Sequence, residues 1–207
     1  MGYTSWLGAS VEQDAMATRE IAERLGASWL VVDHYGAEAT WQARARPDAA
    51  KLLAIDDLAN RPHACDVLLD QNFFQCPNAR YADNIPDGTR TLFGPLYALL
   101  RPDYARARPA DPPTRLAVTR AFVFYGGSDP TGETERAVRV LANVGDRKVP
   151  ADAVVGANYP ARERLDVAVR NHGTVTLHGP RPHLADLIAR AQLALGAGGV
   201  TAWERCA

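Results

Sequence analysis

Short continuous apolar runs alternate along this chain with longer stretches in which apolar positions recur at helical spacing. Residues 11–26, VEQDAMATREIAERLG, predict an amphipathic helix closed by Gly26, and SWLVVDHYG follows as a strand. The run from Trp29 to Val32 is apolar without interruption, the pattern of a strand buried on both faces of a parallel sheet. KLLAIDDLA predicts a strand ending in acidic residues, DVLLDQN another, and TLFGPLYALL a third segment entering a loop. Apolar strands with polar ends, interleaved with helices, predict an α/β doubly wound fold, in which ligands gather at the carboxyl ends of the strands. Asp33, His34 and Tyr35, the pair Asp56–Asp57, and residues 70–72 all fall at such ends.

Residues 106–115, RARPADPPTR, have no apolar periodicity and are rich in proline, which stiffens a chain and supplies no backbone donor. A linker over 108–115 would separate a first domain, residues 1–107, from a second, residues 116–207. Beyond it a second α/β series begins, with RAFVFYGG as a strand and glycine turn and DPTGETERAVRVLANV as a helix. DAVVGAN, TVTLHG and LALGAGG read as further strands, separated by the helices ERLDVAVRNHG and RPHLADLIARA. No internal repeat is evident, and two Rossmann-like units with parallel sheets are the economical reading.

Composition changes this picture little. The 207 residues are 47% hydrophobic, enough to bury a core in one large or two small domains. The 23 basic and 24 acidic residues are well mixed, for a net charge of −1, which argues against a nucleic-acid or anionic-membrane partner. Cys65, Cys76 and Cys206 are an odd set without metal-ligand spacing and fit a reducing cytosol better than a disulfide framework. No segment approaches the roughly 18 apolar residues of a membrane span, and no signal peptide is recognisable. A soluble cytoplasmic protein is expected.

The candidate chemistry lies in three motifs. Residues 196–206, GAGGVTAWERC, follow an apolar strand with a glycine turn and the start of a helix. Glycines let the backbone approach an anion, and the free N–H groups of a helix start point at it, so this is a cradle for phosphate. Glu204, one turn into the helix, suits ribose hydroxyls better than phosphate. YGGSDPTGET, residues 125–134, is a second glycine turn: Gly126 and Gly127 allow close approach of a phosphate, and Ser128 or Asp129 can cap the next helix. Taken alone it is equally a plain strand–helix turn, since it is neither a P-loop nor the dinucleotide GxGxxG fingerprint. Two such turns in one half of the chain point to a shared diphosphate site.

VDHYG, residues 32–36, sets a carboxylate, an imidazole and a phenol in a row, of which no more than two can face one cleft. Their bland reading makes Asp33 a cap and Tyr35 a packing residue. His63 reads as a loop histidine, and His178 and His183 as contacts to a nucleotide base or residues of a surface turn. Asp56 and Asp57 splay apart on an extended strand and no further ligand recurs nearby, so no metal site is expected; no cofactor is expected either. No GxSxG elbow and no HExxH is present, which leaves those hydrolase chemistries unsupported.

In order along the chain, WLVVDHYG (29–36), IDDLANRPHACDVLLDQN (55–72), FGPLYALLRPDY (93–104), FYGGSDP (124–130) and GAGGVTAWERC (196–206) together resemble one family. It is the UDP-2,4-diacetamido-2,4,6-trideoxy-β-L-altropyranose hydrolase of pseudaminic acid biosynthesis. The resemblance implies the GT-B fold of nucleotide-sugar glycosyltransferases and cleavage of UDP from a diacetamido sugar, with water in place of an acceptor. It implies that Gly126, Gly127 and Ser128, with Gly198, Gly199, Val200 and Thr201, cradle the diphosphate of UDP, and that Glu204 binds the ribose. Tyr35, with Asp33 and His34 near it, would be the catalytic group beside the sugar. Val200 stands where a serine or threonine is usual, removing one hydroxyl from the phosphate site.

The family also opens with a GxGH turn whose histidine activates water, and it continues past WERC. Neither is found in this sequence, which is therefore expected to be a fragment with both domains incomplete and little or no activity. A GT-B glycosyltransferase and a non-catalytic UDP-sugar binding module are the alternatives.

Overall fold

The structure is a computed structural model that describes residues 2–110, 117–144 and 147–207. Its contacts divide the chain into two compact units, Met1–Leu99 and Leu100–Ala207.

The first unit begins with a 3-10 turn, Tyr3–Leu7, and α1, Val11–Arg24. Ser10 and Gln13 form a reciprocal capping box at the start of α1, and Gly26 turns left-handed just beyond its end. There follow β1 (Trp29–Val32), α2 (Ala39–Ala45), β2 (Lys51–Ile55), β3 (Val67–Asp70), α3 (Pro77–Tyr81) and β4 (Arg90–Phe93). All four strands are parallel, in the order β1-β2-β3-β4. Helices α1 and α2 cover one face, where Ala15, Val32, Trp41, Leu52, Ala54 and Leu68 form the core.

The expectation that β1 is buried on both faces is corrected. Trp29 and Val31 are 46% and 61% exposed. β1 is an edge strand, and only its Leu30 and Val32 side faces the helices. An apolar run also marks the central β3, where Val67, Leu68 and Leu69 are buried, so such a run cannot tell a centre from an edge.

The second unit contains α4 (Pro102–Ala107), β5 (Ala121–Phe124), α5 (Glu133–Leu141), β6 (Ala151–Val154), α6 (Arg162–His172), β7 (Val175–His178), α7 (Ala185–Ala189), β8 (Leu193–Gly196) and α8 (Val200–Cys206). Its four parallel strands run β7-β6-β5-β8, with the chain reversing direction about β5. Both faces are covered: Ala121, Val123, Val138, Leu141, Ala153 and Leu165 on one, Phe122, Val154, Leu184 and Leu187 on the other.

The expected linker over 108–115 falls largely on residues outside those described. α4, placed by the sequence in the first domain, belongs to the second unit: Tyr104 is buried, and the Leu184 N–H donates to its hydroxyl at 3.3 Å. Among the described residues no helix is long and apolar enough to cross a membrane.

One carboxylate sits inside the second sheet. Asp152 on β6 is buried and accepts from Arg120 (3.1 Å), from two nitrogens of Arg190 (3.0 and 2.7 Å), and lies 2.8 Å from His178 Nε2. Burial pushes its pKa up, but His178 and the two arginines more than offset this and hold it below the usual range. His178 is therefore committed to this cluster in place of the base contact or surface turn expected for it. Asp152→Ala removes the shared counter-charge and is expected to destabilise the second unit by about 2 kcal/mol, read from urea denaturation followed by tryptophan fluorescence.

Candidate functional site

In the first unit the carboxyl ends of β1, β2 and β3 carry a connected polar cluster. Asp56 and Asp57 follow β2 and point apart, as neighbouring side chains on extended backbone must. Asp56 turns inward and is buried, where it pairs with Arg61 at 2.6 Å and accepts from the Ala59 N–H (2.8 Å) and the Tyr81 hydroxyl (3.1 Å). Burial alone would raise its pKa, but His63, the Ala59 N–H and Arg61 lower it well below the ordinary aspartate range. The Tyr81 hydroxyl also reaches Asp70 at 3.0 Å, and burial between the two carboxylates raises its pKa strongly. Asp70 is in turn held by Arg80 (2.9 Å) and the Asn72 N–H (3.0 Å). Two buried carboxylates and two arginines thus balance in charge.

His63 is not the loop histidine the sequence suggested; it is buried within this cluster. The Ala64 N–H donates to Gln42 Oε1 at 2.7 Å, which fixes the orientation of the Gln42 amide. Gln42 Nε2 then donates both to the Ala37 carbonyl (2.7 Å) and to His63 Nδ1 (3.0 Å). An imidazole accepting on Nδ1 carries its proton on Nε2, which lies 3.7 Å from Asp56 Oδ2.

The VDHYG residues separate. Asp33 and His34 line a shallow cleft of ≈ 280 Å³ with Trp6, Leu30 and Trp41. His34 folds back on its own backbone, its Nδ1 accepting the Gly36 N–H at 3.0 Å. Tyr35 alone joins the cluster, donating to Asp57 Oδ1 at 2.8 Å. Its ring rests against Tyr3 and Trp6, with ring centroids 5.4 and 6.0 Å away, and the Arg61 guanidinium lies 5.2 Å from the ring centre. The hydrogen bond to Asp57, followed by burial, pushes the Tyr35 pKa up to about 12.

In the second unit the glycine turns leave adjacent parallel strands. Phe124 at the end of β5 is in register with Gly196 at the end of β8, so residues 125–128 and 197–199 emerge side by side at about one strand spacing of 4.8 Å. Gly126 and Gly199 have φ of 95° and 87°, a conformation that favours glycine. A Cβ on Gly126, Gly127, Gly198 or Gly199 would meet no atom within 4 Å, so both turns face open space. The Gly127 carbonyl accepts the Gly156 N–H at 2.9 Å, and a Cβ on Gly156 would collide with that carbonyl. Sequence reading passed over Gly156, a lone glycine after β6; only the strand order shows what it approaches.

Of the two caps proposed for α5, Asp129 takes the role, accepting from the Glu133 N–H (3.0 Å) and the Thr134 N–H (2.7 Å). Ser128 is exposed. Because a carboxylate already occupies the start of α5, an anion at this turn would meet the N–H groups of the turn itself. At the other turn α8 starts at Val200 and Thr201, with no side-chain cap at Gly199. Glu204 lies near Tyr104, whose pKa burial and then Glu204 push up to about 12. The two line a pocket of ≈ 350 Å³ with Arg108, Ile188 and Gln192. Glu204, to which the resemblance assigned the ribose, thus lies beside α4. His183 stands 3.9 Å from Asp103 of α4. Among the described residues no group of three or more His, Cys, Asp or Glu side chains is arranged to hold a metal ion.

No protein-family model matches this chain, and neither does any curated protein. Among solved structures it is similar to TarM, at 10% identity and a TM-score of 0.54, covering 87% of this chain and 39% of TarM. Acinetobacter baumannii MurG aligns at 13% identity and a TM-score of 0.48, covering 93% of this chain and 53% of MurG. The chain thus spans about half or less of the length of either. TarM is a GT-B glycosyltransferase. The fold is of that type.

Asp56→Asn leaves Arg61 buried without its counter-charge and is expected to cost about 3–5 kcal/mol at neutral pH in urea unfolding. With the folded pKa lowered, the stability due to Asp56 is complete above the ordinary value of 3.8 and is lost as pH falls towards the folded value. The gap between wild type and variant should therefore narrow below about pH 4.

Proposed function

We propose that this chain belongs to an enzyme that acts on a nucleoside-diphosphate sugar, breaking the bond between the anomeric carbon and the diphosphate. One observation carries the reading: two glycine turns with outward-facing, uncrowded backbone stand side by side at the carboxyl ends of β5 and β8. Backbone N–H groups in such turns bind a diphosphate in the ground state and stabilise the charge that grows on it as it leaves. In this reading Gly126, Gly127, Ser128, Gly198, Gly199, Val200 and Thr201 take the diphosphate. Tyr35 takes the sugar, with Asp33 and His34 lining the adjoining cleft. When the C–O bond breaks, its electron pair passes to the diphosphate and the attacking oxygen gives up a proton.

The attacking oxygen distinguishes two forms of this reading. The GT-B fold supports a glycosyltransferase, in which a sugar hydroxyl attacks. The five ordered motifs from WLVVDHYG to GAGGVTAWERC support water instead, hydrolysing a UDP-linked diacetamido trideoxy sugar as in pseudaminic acid biosynthesis.

UDP binding measured by titration calorimetry tests the common core. Gly127→Val and Gly198→Val place a branched side chain where the phosphates would lie, in space the fold leaves empty. Each is expected to weaken UDP binding at least about tenfold with an unchanged urea midpoint; unaltered affinity would refute the assignment. UDP released from a UDP-sugar in water alone supports the hydrolase, and release only with an added sugar acceptor supports the transferase. Binding without release in either case leaves a binding module.

A further inference from the structure

The peptide unit between Gly127 and Ser128 carries a carbonyl on one side and an N–H on the other, and only one of them can face an anion. It is trans, like every peptide among the described residues, so the two groups point in opposite directions. Gly127 has no Cβ to favour one orientation over the other. Gly156 makes the choice. Its N–H donates to the Gly127 carbonyl at 2.9 Å and draws that acceptor towards β6. In the strand order β6 and β8 flank β5 on opposite sides. With its carbonyl held towards β6, the unit turns the Ser128 N–H towards β8, the side on which Gly198 and Gly199 emerge. A Cβ on Gly127, Gly198 or Gly199 would meet no atom within 4 Å, so that side is open.

The Gly156 N–H is itself anchored. Val155 before it is fully buried and donates to the His178 carbonyl at 3.1 Å. Tyr159 after it sits in the core of the unit, and its N–H returns to the Gly156 carbonyl at 3.4 Å. On the far side of Ser128, buried Asp129 accepts the Glu133 and Thr134 N–H groups of α5. Ser128 is thus an exposed residue between two fixed points. A Cβ on Gly156 would collide with the backbone of Gly127, so no larger residue can make this approach with the turn in place.

We propose that Gly156 is a positioning residue for the diphosphate: its N–H turns the Gly127 carbonyl away from the ligand and so aims the Ser128 N–H at a phosphate oxygen. The proposal rests on the nucleotide-sugar reading and deepens it, and all of its parts lie in the second unit. Reversed, the same peptide would set a carbonyl oxygen against the anion and replace attraction with repulsion. The Gly156 bond therefore removes an acceptor and supplies a donor in one step. A donor oriented before the ligand arrives costs no reorganisation on binding. The turn after β6 thus serves the site without touching the ligand.

Amide NMR spectra of the isotope-labelled full chain, titrated with UDP and separately with inorganic pyrophosphate, provide the test. A scalar coupling across the hydrogen bond, between the Gly156 nitrogen and the Gly127 carbonyl carbon, should be present in wild type and absent in Gly156→Ala. Either ligand should shift the Ser128 amide proton of wild type downfield. Gly156→Ala should bind each about tenfold more weakly, as expected for the loss of one hydrogen bond. Its Ser128 amide should no longer respond, while the Gly198 amide still does. Loss of both responses would mark a purely structural role and overturns the proposal, as does wild-type affinity in folded Gly156→Ala. Should that variant fail to fold, wild type decides alone: the coupling together with the Ser128 shift sustains the proposal, and the absence of either overturns it. UDP bound with an unmoved Ser128 amide overturns it and leaves the nucleotide-sugar reading intact. Pyrophosphate bound through Ser128, with UDP no tighter, defeats the nucleotide-sugar reading and leaves the oriented amide standing. Binding of neither ligand overturns both.

Discussion

Buried Asp56 is the constraint on which the first unit depends. Parallel strands need a crossover, and a helix usually makes it while satisfying its own backbone. Between β2 and β3 the chain crosses without one, through residues 56–66 in irregular conformation. Buried irregular backbone must find its partners elsewhere, and here side chains supply them: Asp56 takes the Ala59 N–H, Gln42 takes the Ala64 N–H, and Asn84 Nδ2 donates to the Ala59 carbonyl. The carboxylate is tolerated inside because Arg61, Tyr81 and His63 surround it. The same cluster that closes this loop fixes the floor under Tyr35 and Asp57, so fold and site share one set of interactions.

The second unit solves the opposite problem. It leaves two glycine turns uncrowded and satisfies backbone donors beside one of them. Asp129, a non-glycine residue at φ 35°, takes two N–H groups of α5. Gly156 lets the β6 turn bond the Gly127 carbonyl and brace that turn from the side. Around Gly126, Gly127, Gly198 and Gly199 the structure leaves open space, in which a Cβ would meet no atom within 4 Å.

Local patterns were legible where local physics decides. The helix closed by Gly26, the strands from TLFG to LALG and both glycine turns follow from residues close in sequence. The divergence of Asp56 from Asp57 followed from strand geometry alone. Non-local matters were not legible. Exposure of Trp29 and Val31 depends on β1 lying at a sheet edge. The burial of His63 depends on Gln42, and the commitment of His178 depends on Asp152, Arg120 and Arg190. Glu204 was read from its place one turn into a helix, yet the fold brings it into one pocket with Tyr104 of α4.

By itself the sequence determined the kind of protein: alternating apolar runs and amphipathic stretches impose an α/β fold, and glycine pairs after strands impose open turns. Those properties arise from periodicity and backbone sterics, which act within a few residues. Only the tertiary structure decided the pairing of the turns through the β5–β8 register and the choice of Tyr35 over Asp33 and His34 as the partner of Asp57. It alone converted a bland Asp–Asp dipeptide into one buried anchor and one exposed acceptor. Hydrogen bonds and charges act over a few ångströms in space, and folding alone decides which distant residues come within that reach.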